Sequence, residues 1–426
     1  MKEFFTNKNI QKRLWFTLIA FAVYRFGCAI TIPGVNQGAV TEGLESMGLF
    51  DMISMIGGGG LAQFSIFALG VTPYITASIV IQLLAIGEVI PKLAQLQKEG
   101  TQGRRKLDNY TKYLSVVLAI LQAVTTIYAL NNQASGVFIG GITLPKVIFA
   151  TTVLVAGVVW LSWLADRITQ KGLGNGMSMI IMAGIVGRLP NQLIDAQTTL
   201  GWTGKFALYL LCMFVILAGI TLLNTTERRI PVQYTSSSAE LTKANAKTSY
   251  LPFKVNSASV LPVIFASSVM MAPLQIIAFL PQAEWTNLLN NLLGMKTWYS
   301  IVIYALLTWF FCFFYTHVQL DDEQIAENLD LSGAYIPNVS PGKDTQTYLH
   351  NSISRVTVLG AIGLTLIAVL PHIMPLIWTD MPSSMALGGT GLIIVVGVAI
   401  ETTKQIRGMM TQNSYKRYYR VAGLNE

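Results

Sequence analysis

A chain of 426 residues that is 52% hydrophobic and only 12% charged is too apolar for a soluble domain, and it reads as a polytopic membrane protein. Its formal charge of +8 would suit nucleic acid, but the basic residues fall in alternate loops between apolar stretches, which accounts for them without that partner. Cys28, Cys212 and Cys312 all lie inside apolar stretches at no metal-ligand spacing, so neither a disulfide framework nor a zinc site is expected.

The start, MKEFFTNKNIQKRLW, is basic and runs into a span of full length with no small-residue cleavage site. It reads as a cytoplasmic arm, 1–13, ahead of an uncleaved first helix. Ten apolar spans can be drawn, at roughly 14–33, 63–87, 113–131, 147–165, 174–190, 205–224, 257–280, 297–317, 354–372 and 387–405. The N-terminal arm, the even-numbered loops and the tail hold 24 of the 29 Lys and Arg, whereas the odd loops hold only Lys146, Arg188, Lys205 and Lys296. By the positive-inside rule both termini are cytoplasmic, and one missed helix would scramble this parity.

Between the first two spans lies Leu49–Leu61, LFDMISMIGGGGL. Its apolar part, with Leu49, Phe50, Met52, Ile53, Met55 and Ile56, is too short to cross, and Gly57, Gly58, Gly59 and Gly60 form a hinge that no regular helix would keep. Two readings stay open: an external loop dipping onto the membrane surface, or a short movable helix that folds back against a funnel. In the second span Ser65–Leu84 has no charge, and Val71, Ile75, Ser78 and Gln82 follow at i, i+4, i+7 and i+11. One helical face is therefore apolar midway and polar toward one end, as suits a wet funnel narrowing to a dry constriction.

Three loops on the basic side exceed what a connection needs. The second, KLAQLQKEGTQGRRKLDNYTK, contains Arg104, Arg105 and Lys106. The sixth, about 225–256, carries Arg228, Arg229, Pro231 and Lys247 around a Ser/Thr/Ala-rich middle, which suggests an exposed hairpin or mobile finger. The eighth, about 318–353, opens acidic and closes on Pro337, Pro341 and Gly342. Such loops dock a partner or are merely solvated.

GLGNGMS, Gly172–Ser178, imitates a nucleotide loop, yet it follows an apolar helix and lacks the acidic partner, so it reads as a flexible lead into the fifth helix. His317, His350 and His372 are far apart, and no GxSxG, paired catalytic carboxylates or metal cluster appears. No enzymatic activity, metal or cofactor is expected. Ionisable groups inside spans are few, with Arg25 in the first and Glu401 near the cytoplasmic end of the tenth, whereas a proton-coupled transporter would set acids or histidine near the midplane.

The stretches SIFALGVTPYITASIVIQLL, GRRKLDNYTKY, GLGNGMSMIIMAGIV, LPFKVNSASVLPVIFASS, SGAYIP and GGTGLIIVV, in this order between about Arg13 and Lys404, resemble the bacterial SecY family, the pore-forming subunit of the Sec protein-translocation channel. The resemblance implies an all-α polytopic membrane protein of ten transmembrane helices in two pseudo-symmetric five-helix halves, 14–190 and 191–405, around an hourglass pore, with a cytoplasmic tail, 406–426. It implies that Leu49–Leu61 is a plug helix and that the pore ring falls on Val71, Ile75, Met177, Ile181, Ile264 and Ile394. Spacing alone pairs Val71 with Ile75 and Met177 with Ile181; convergence at one depth comes only from the resemblance.

The resemblance further implies a lateral gate between the second and third spans on one side and the seventh and eighth on the other. Gln82 and Asn256 are candidates for a polar contact that holds it shut. Implied partners are SecE, SecG, the SecA motor or a ribosome, an unfolded polypeptide with its signal sequence, and membrane lipid, with no nucleic acid bound directly. Motor or ribosome would dock at Arg104, Arg105, Lys106, Arg228, Arg229, Lys247, Ser340 and Lys343 in a bacterial plasma membrane. Many bacterial relatives have an arginine where this chain has Ser340, and serine cannot make that residue's bidentate contact. The alternatives are an accessory paralogue of the channel and, from a different class, a secondary transporter of a small solute.

Overall fold

The computed structural model describes residues 8–40, 59–61, 63–87, 89–133, 136–201, 204–234, 249–277, 284–295, 297–320, 322–377 and 383–421. Helix α1 (Lys8–Ala29) is followed by α2 (Thr72–Ile86), α3 (Pro91–Lys98), α4 (Gly100–Gln133), α5 (Leu144–Lys171), α6 (Gly176–Val186) and α7 (Leu189–Leu200). After α8 (Gly204–Thr225) come strands β1 (Glu227–Tyr234) and β2 (Ser249–Lys254), then α9 (Leu261–Ile277), α10 (Glu284–Leu293) and α11 (Trp298–Gln319). The chain ends through α12 (Asp322–Leu331), β3 (Ala334–Tyr335), α13 (Lys343–Ile377) and α14 (Ser383–Val421).

Among the described residues, seven helical stretches are long and apolar enough to cross a membrane, and an eighth if α2 and α3, bent by 96°, count as one span. Helices α1, of 22 residues, and α9, of 17, occupy the places of the first and seventh expected spans. At 1.5 Å per residue α1 is about 33 Å long, the thickness of a hydrocarbon core.

The second expected span, 63–87, is helical only from Thr72. Pro73 sits in the first turn of α2, where its missing N–H is no loss, while a proline further inside would break the helix. Residues 63–71 form buried turns that bond to the chain leaving α1: Ile32 N donates to Phe64 O at 3.1 Å and Ile66 N to Ile30 O at 3.0 Å. Phe64 and Leu69 are fully buried in this stretch. Val71 becomes the N-cap of α2 and its carbonyl accepts from Ile75 N at 3.1 Å, so the four-residue spacing from Val71 onward runs on helix.

The basic second loop is also helical. Residues 91–98 form α3 and the run Arg104–Lys106 stands exposed in the first turns of α4. Only a narrow face of α3, with Leu93 and Ala94, is buried, so mean hydropathy reads the segment as a loop. The sixth loop does hold a hairpin: β1 and β2 pair antiparallel from Glu227↔Lys254 to Val232↔Ser249, and β3 adds to the other edge of β1. Lys247 lies outside the described residues, as do Leu49, Phe50, Met52, Ile53, Met55, Ile56, Gly57 and Gly58. Helix α14 continues through much of 406–426.

Packing sorts the helices into two groups. Helices α1 to α6 pack among themselves, as do α8 to α14. The groups meet along two seams, α9 against α2 and α4, and α14 against α6. One contiguous apolar core threads both groups. A smaller core of Ile230, Val232, Phe253, Leu329, Leu349 and Ile353 seats the sheet on α12 and the start of α13.

Candidate functional site

The six expected ring residues sit on four of the five helices that meet across the two seams, Val71 being the N-cap of its helix. Val71 and Ile75 belong to α2 and Ile264 to α9, at the first seam; Met177 and Ile181 belong to α6 and Ile394 to α14, at the second. Val71, Ile75, Ile181, Ile264 and Ile394 are all buried members of the main core, and Met177 packs against it. Five of these side chains are hydrocarbon and the sixth, Met177, adds only a thioether sulfur.

At the first seam Tyr315 of α11 donates its hydroxyl hydrogen to Gln82 Oε1, while Gln82 Nε2 donates to Ser78 Oγ at 2.9 Å. Tyr315 is held in place edge-on by Phe265, with ring centroids 5.1 Å apart, and Phe265 meets Phe311 in the same manner at 6.0 Å. Gln82 therefore makes its cross-group bond to Tyr315. Asn256, the other residue expected there, bonds within its own group: its Nδ2 donates to Asn224 Oδ1 at 2.9 Å and to Ser259 O at 2.8 Å. Helical spacing selects Gln82, but nothing in the aromatic run FFCFFY singles out Tyr315. A cavity of about 820 Å³ opens at the basic end of this seam, lined by Ala85, Ile86, Arg104, Phe313, Phe314 and His317 among others.

The second seam is stitched by polar contacts around GLGNGMS. Gly174 N donates to Gln405 Oε1 of α14 at 2.6 Å, and Thr402 Oγ1 of α14 reaches Met179 Sδ at 3.5 Å. Gly176 N donates to Thr169 Oγ1 of α5 at 2.8 Å, and Asn175 caps α6 by accepting from Met177 N at 3.0 Å. A side chain at Gly176 has no room, because its Cβ would stand 1.8 Å from the Ala165 carbonyl oxygen. The expected flexible lead into the fifth helix is thus a tightly held corner.

On the basic side, Arg104, Arg105, Lys106, Arg228, Arg229, Ser340 and Lys343 are all exposed. Arg229 bonds Glu227 at 2.9 Å and lies over Tyr250, 4.6 Å from the ring centroid. Ser340 contributes its carbonyl, which accepts from Thr345 Oγ1 at 2.9 Å. These are separate patches on α4, the hairpin and the turn before α13.

A family model described as SecY matches residues 65–403. The chain belongs to the SecY family. It is 38% identical to protein translocase subunit SecY 1 of Lactobacillus kefiranofaciens subsp. kefiranofaciens over 99% of each chain. It is 37% identical to the SecY subunit of Staphylococcus aureus over 98% of each. Among solved structures, a protein-conducting channel aligns with TM-score 0.68 at 19% identity, covering 94% of this chain and 92% of that one. A SecY structure concerned with the plug domain aligns at 0.66 and 17%, and a Sec61 from a canine ribosome-channel complex at 0.65 and 19%, each with the same coverage. At these identities the structures establish a shared SecY and Sec61 fold, which agrees with the all-α, multi-pass architecture expected from the sequence.

Proposed function

We propose that this chain is the passive, gated pore subunit of a Sec translocase, which carries unfolded polypeptides across a bacterial plasma membrane and releases apolar segments sideways into lipid. The observation that supports this reading best is the placement of six apolar residues, Val71, Ile75, Met177, Ile181, Ile264 and Ile394, on four of the helices that close the two seams. An apolar collar can close round an extended chain of almost any sequence without hydrogen-bonding to it, while excluding water and ions. Met177 suits this task, being unbranched and adaptable.

In this reading both termini are cytoplasmic, 14–190 and 191–405 are the two halves around the pore, and Leu49–Gly60 is the plug. The first seam is the lateral gate, and Gln82 with Tyr315 is the polar contact that closes it. SecE and SecG stand beside the channel. SecA or a ribosome supplies the driving force from the cytoplasmic side, on Arg104–Lys106, Arg228, Arg229, Lys247 and Lys343. With Ser340 in place of arginine, motor coupling through the eighth loop is weaker or is distributed onto Lys343 and the sixth loop.

Ion conductance of the purified protein with its clamp subunit in planar bilayers tests the reading, comparing the intact chain with one lacking Asp51–Gly60. The expected result is a silent intact channel and a deletion that flickers open with large, weakly selective currents. If both are silent while a small solute accumulates against a gradient, the transporter reading replaces it and the collar residues lose their role.

A further inference from the structure

Helix α6 is only 11 residues long and bears the two collar residues Met177 and Ile181. Helix α1 holds the segment at both ends. On the cytoplasmic side Arg13 Nη1 donates to Gly172 O at 3.1 Å, and Thr17 Oγ1 accepts from Leu173 N at 3.1 Å. On the outer side Arg25 Nη2 donates to Gly187 O, also at 3.1 Å.

Gly187 is the C-cap of α6. The last carbonyls of a helix lack intrahelical donors and carry partial negative charge, and a guanidinium with five N–H groups meets both needs. The seat is cut to fit: a Cβ on Gly187 would lie 2.2 Å from Arg25 Cζ. Directly after it, Arg188 packs on Gly59, where a Cβ would lie 2.9 Å from Nε. An arginine in an apolar helix is expensive unless it finds partners of this kind. The cytoplasmic end of α6 is separately tied to α5 and α14 through Thr169 and Gln405, so losing the Arg25 joint frees the outer end alone.

We propose that Arg25 is a positioning residue: by gripping the C-terminus of α6 at Gly187 it sets the depth at which Met177 and Ile181 stand in the collar, and so the tightness of the resting seal. The inference rests on the collar reading above. Its test uses the same bilayer measurement on the complete complex, with Arg25→Gln, Arg25→Lys, Gly187→Ala and the double variant R25Q/G187A, and with Ile181→Gly as a control of the collar itself.

Arg25→Gln and Gly187→Ala should each raise the resting open probability about tenfold, the effect of losing one charge-assisted hydrogen bond. Arg25→Lys should restore part of the seal, and the double variant should leak no more than the leakier single one, because both break one joint. If Ile181→Gly leaks while Arg25→Gln is silent, the joint is idle and the collar stands. Additive leaks in the double variant also overturn the inference. Should Ile181→Gly be silent as well, the collar reading fails first and takes the joint with it. If Arg25→Gln does not assemble, Gly187→Ala decides: a leak supports the joint and silence overturns it.

Discussion

The two seams join the same two groups of helices by different means. Where α9 and α11 face α2, one polar bond, Gln82 with Tyr315, sits among Phe265, Phe311 and other apolar groups, and a cavity of about 820 Å³ opens at its basic end. Where α14 faces α6, Gln405 and Thr402 reach across, while Thr169, Asn175, Arg13 and Thr17 lock the corner behind them. Apolar contact is non-directional and re-forms after sliding, whereas hydrogen bonds to backbone amides are lost at once when the partner moves. The first seam is therefore built to part more readily than the second, as the proposed lateral gate requires.

The sharpest way to break this comparison is at Gly176. Gly176→Val would drive side-chain atoms into the Ala165 carbonyl and separate α6 from α5. Overpacking of this kind costs about 1–3 kcal/mol and more where backbone is the obstacle. Loss of assembled complex, or a melting midpoint several degrees lower in detergent, is the expected outcome. A variant as stable as the parent would show that the corner of α5 and α6 behind the second seam is not close-packed.

A smaller effect, but one on gating, is expected at the first seam. Gln82→Leu removes the cross-seam acceptor, and Tyr315→Phe removes the donor. Each should cost about 1 kcal/mol of closed-state stability, roughly fivefold in resting leak, and the two together should cost no more than one. Gln405→Leu at the second seam should instead lower the melting midpoint and leave the leak alone. If Gln405→Leu leaks as much as Gln82→Leu, the division of labour between the seams is wrong.

The smallest expected effect lies outside both seams. Arg229 is exposed, and its ion pair with Glu227 and its stacking over Tyr250 are worth about 1 kcal/mol or less. Arg229→Ala should leave melting and resting leak within error. Weaker, salt-sensitive binding of a motor or ribosome is expected, and unchanged binding would remove the hairpin from the docking surface.

Much of this molecule was legible in one dimension, because a membrane imposes length and polarity rules on each segment separately. Ten apolar spans and the alternation of charge follow from those rules, and the shared face of Val71, Ile75, Ser78 and Gln82 follows from the helical repeat. The rules fail where a segment answers to its neighbours. Residues 63–71 are apolar enough for helix, yet they fold as turns because the chain after α1 supplies their hydrogen bonds. Residues 91–112 are polar enough for a loop, yet most are helix, since exposure carries no penalty for a helix that leaves the membrane.

The candidate site divides along the same line. By itself the sequence paired Val71 with Ile75 and Met177 with Ile181, since spacing within one helix is local, while the proposed collar as a set came from the resemblance. Only the tertiary structure decided that Gln82 meets Tyr315 and Asn256 meets Asn224, that the glycines of GLGNGMS make a close-packed corner, and that Arg25 reaches the end of α6. The partners of Gln82, Asn256 and Arg25 lie 32 to 233 residues away in the chain, and short-range periodicity carries no information about contacts at that separation.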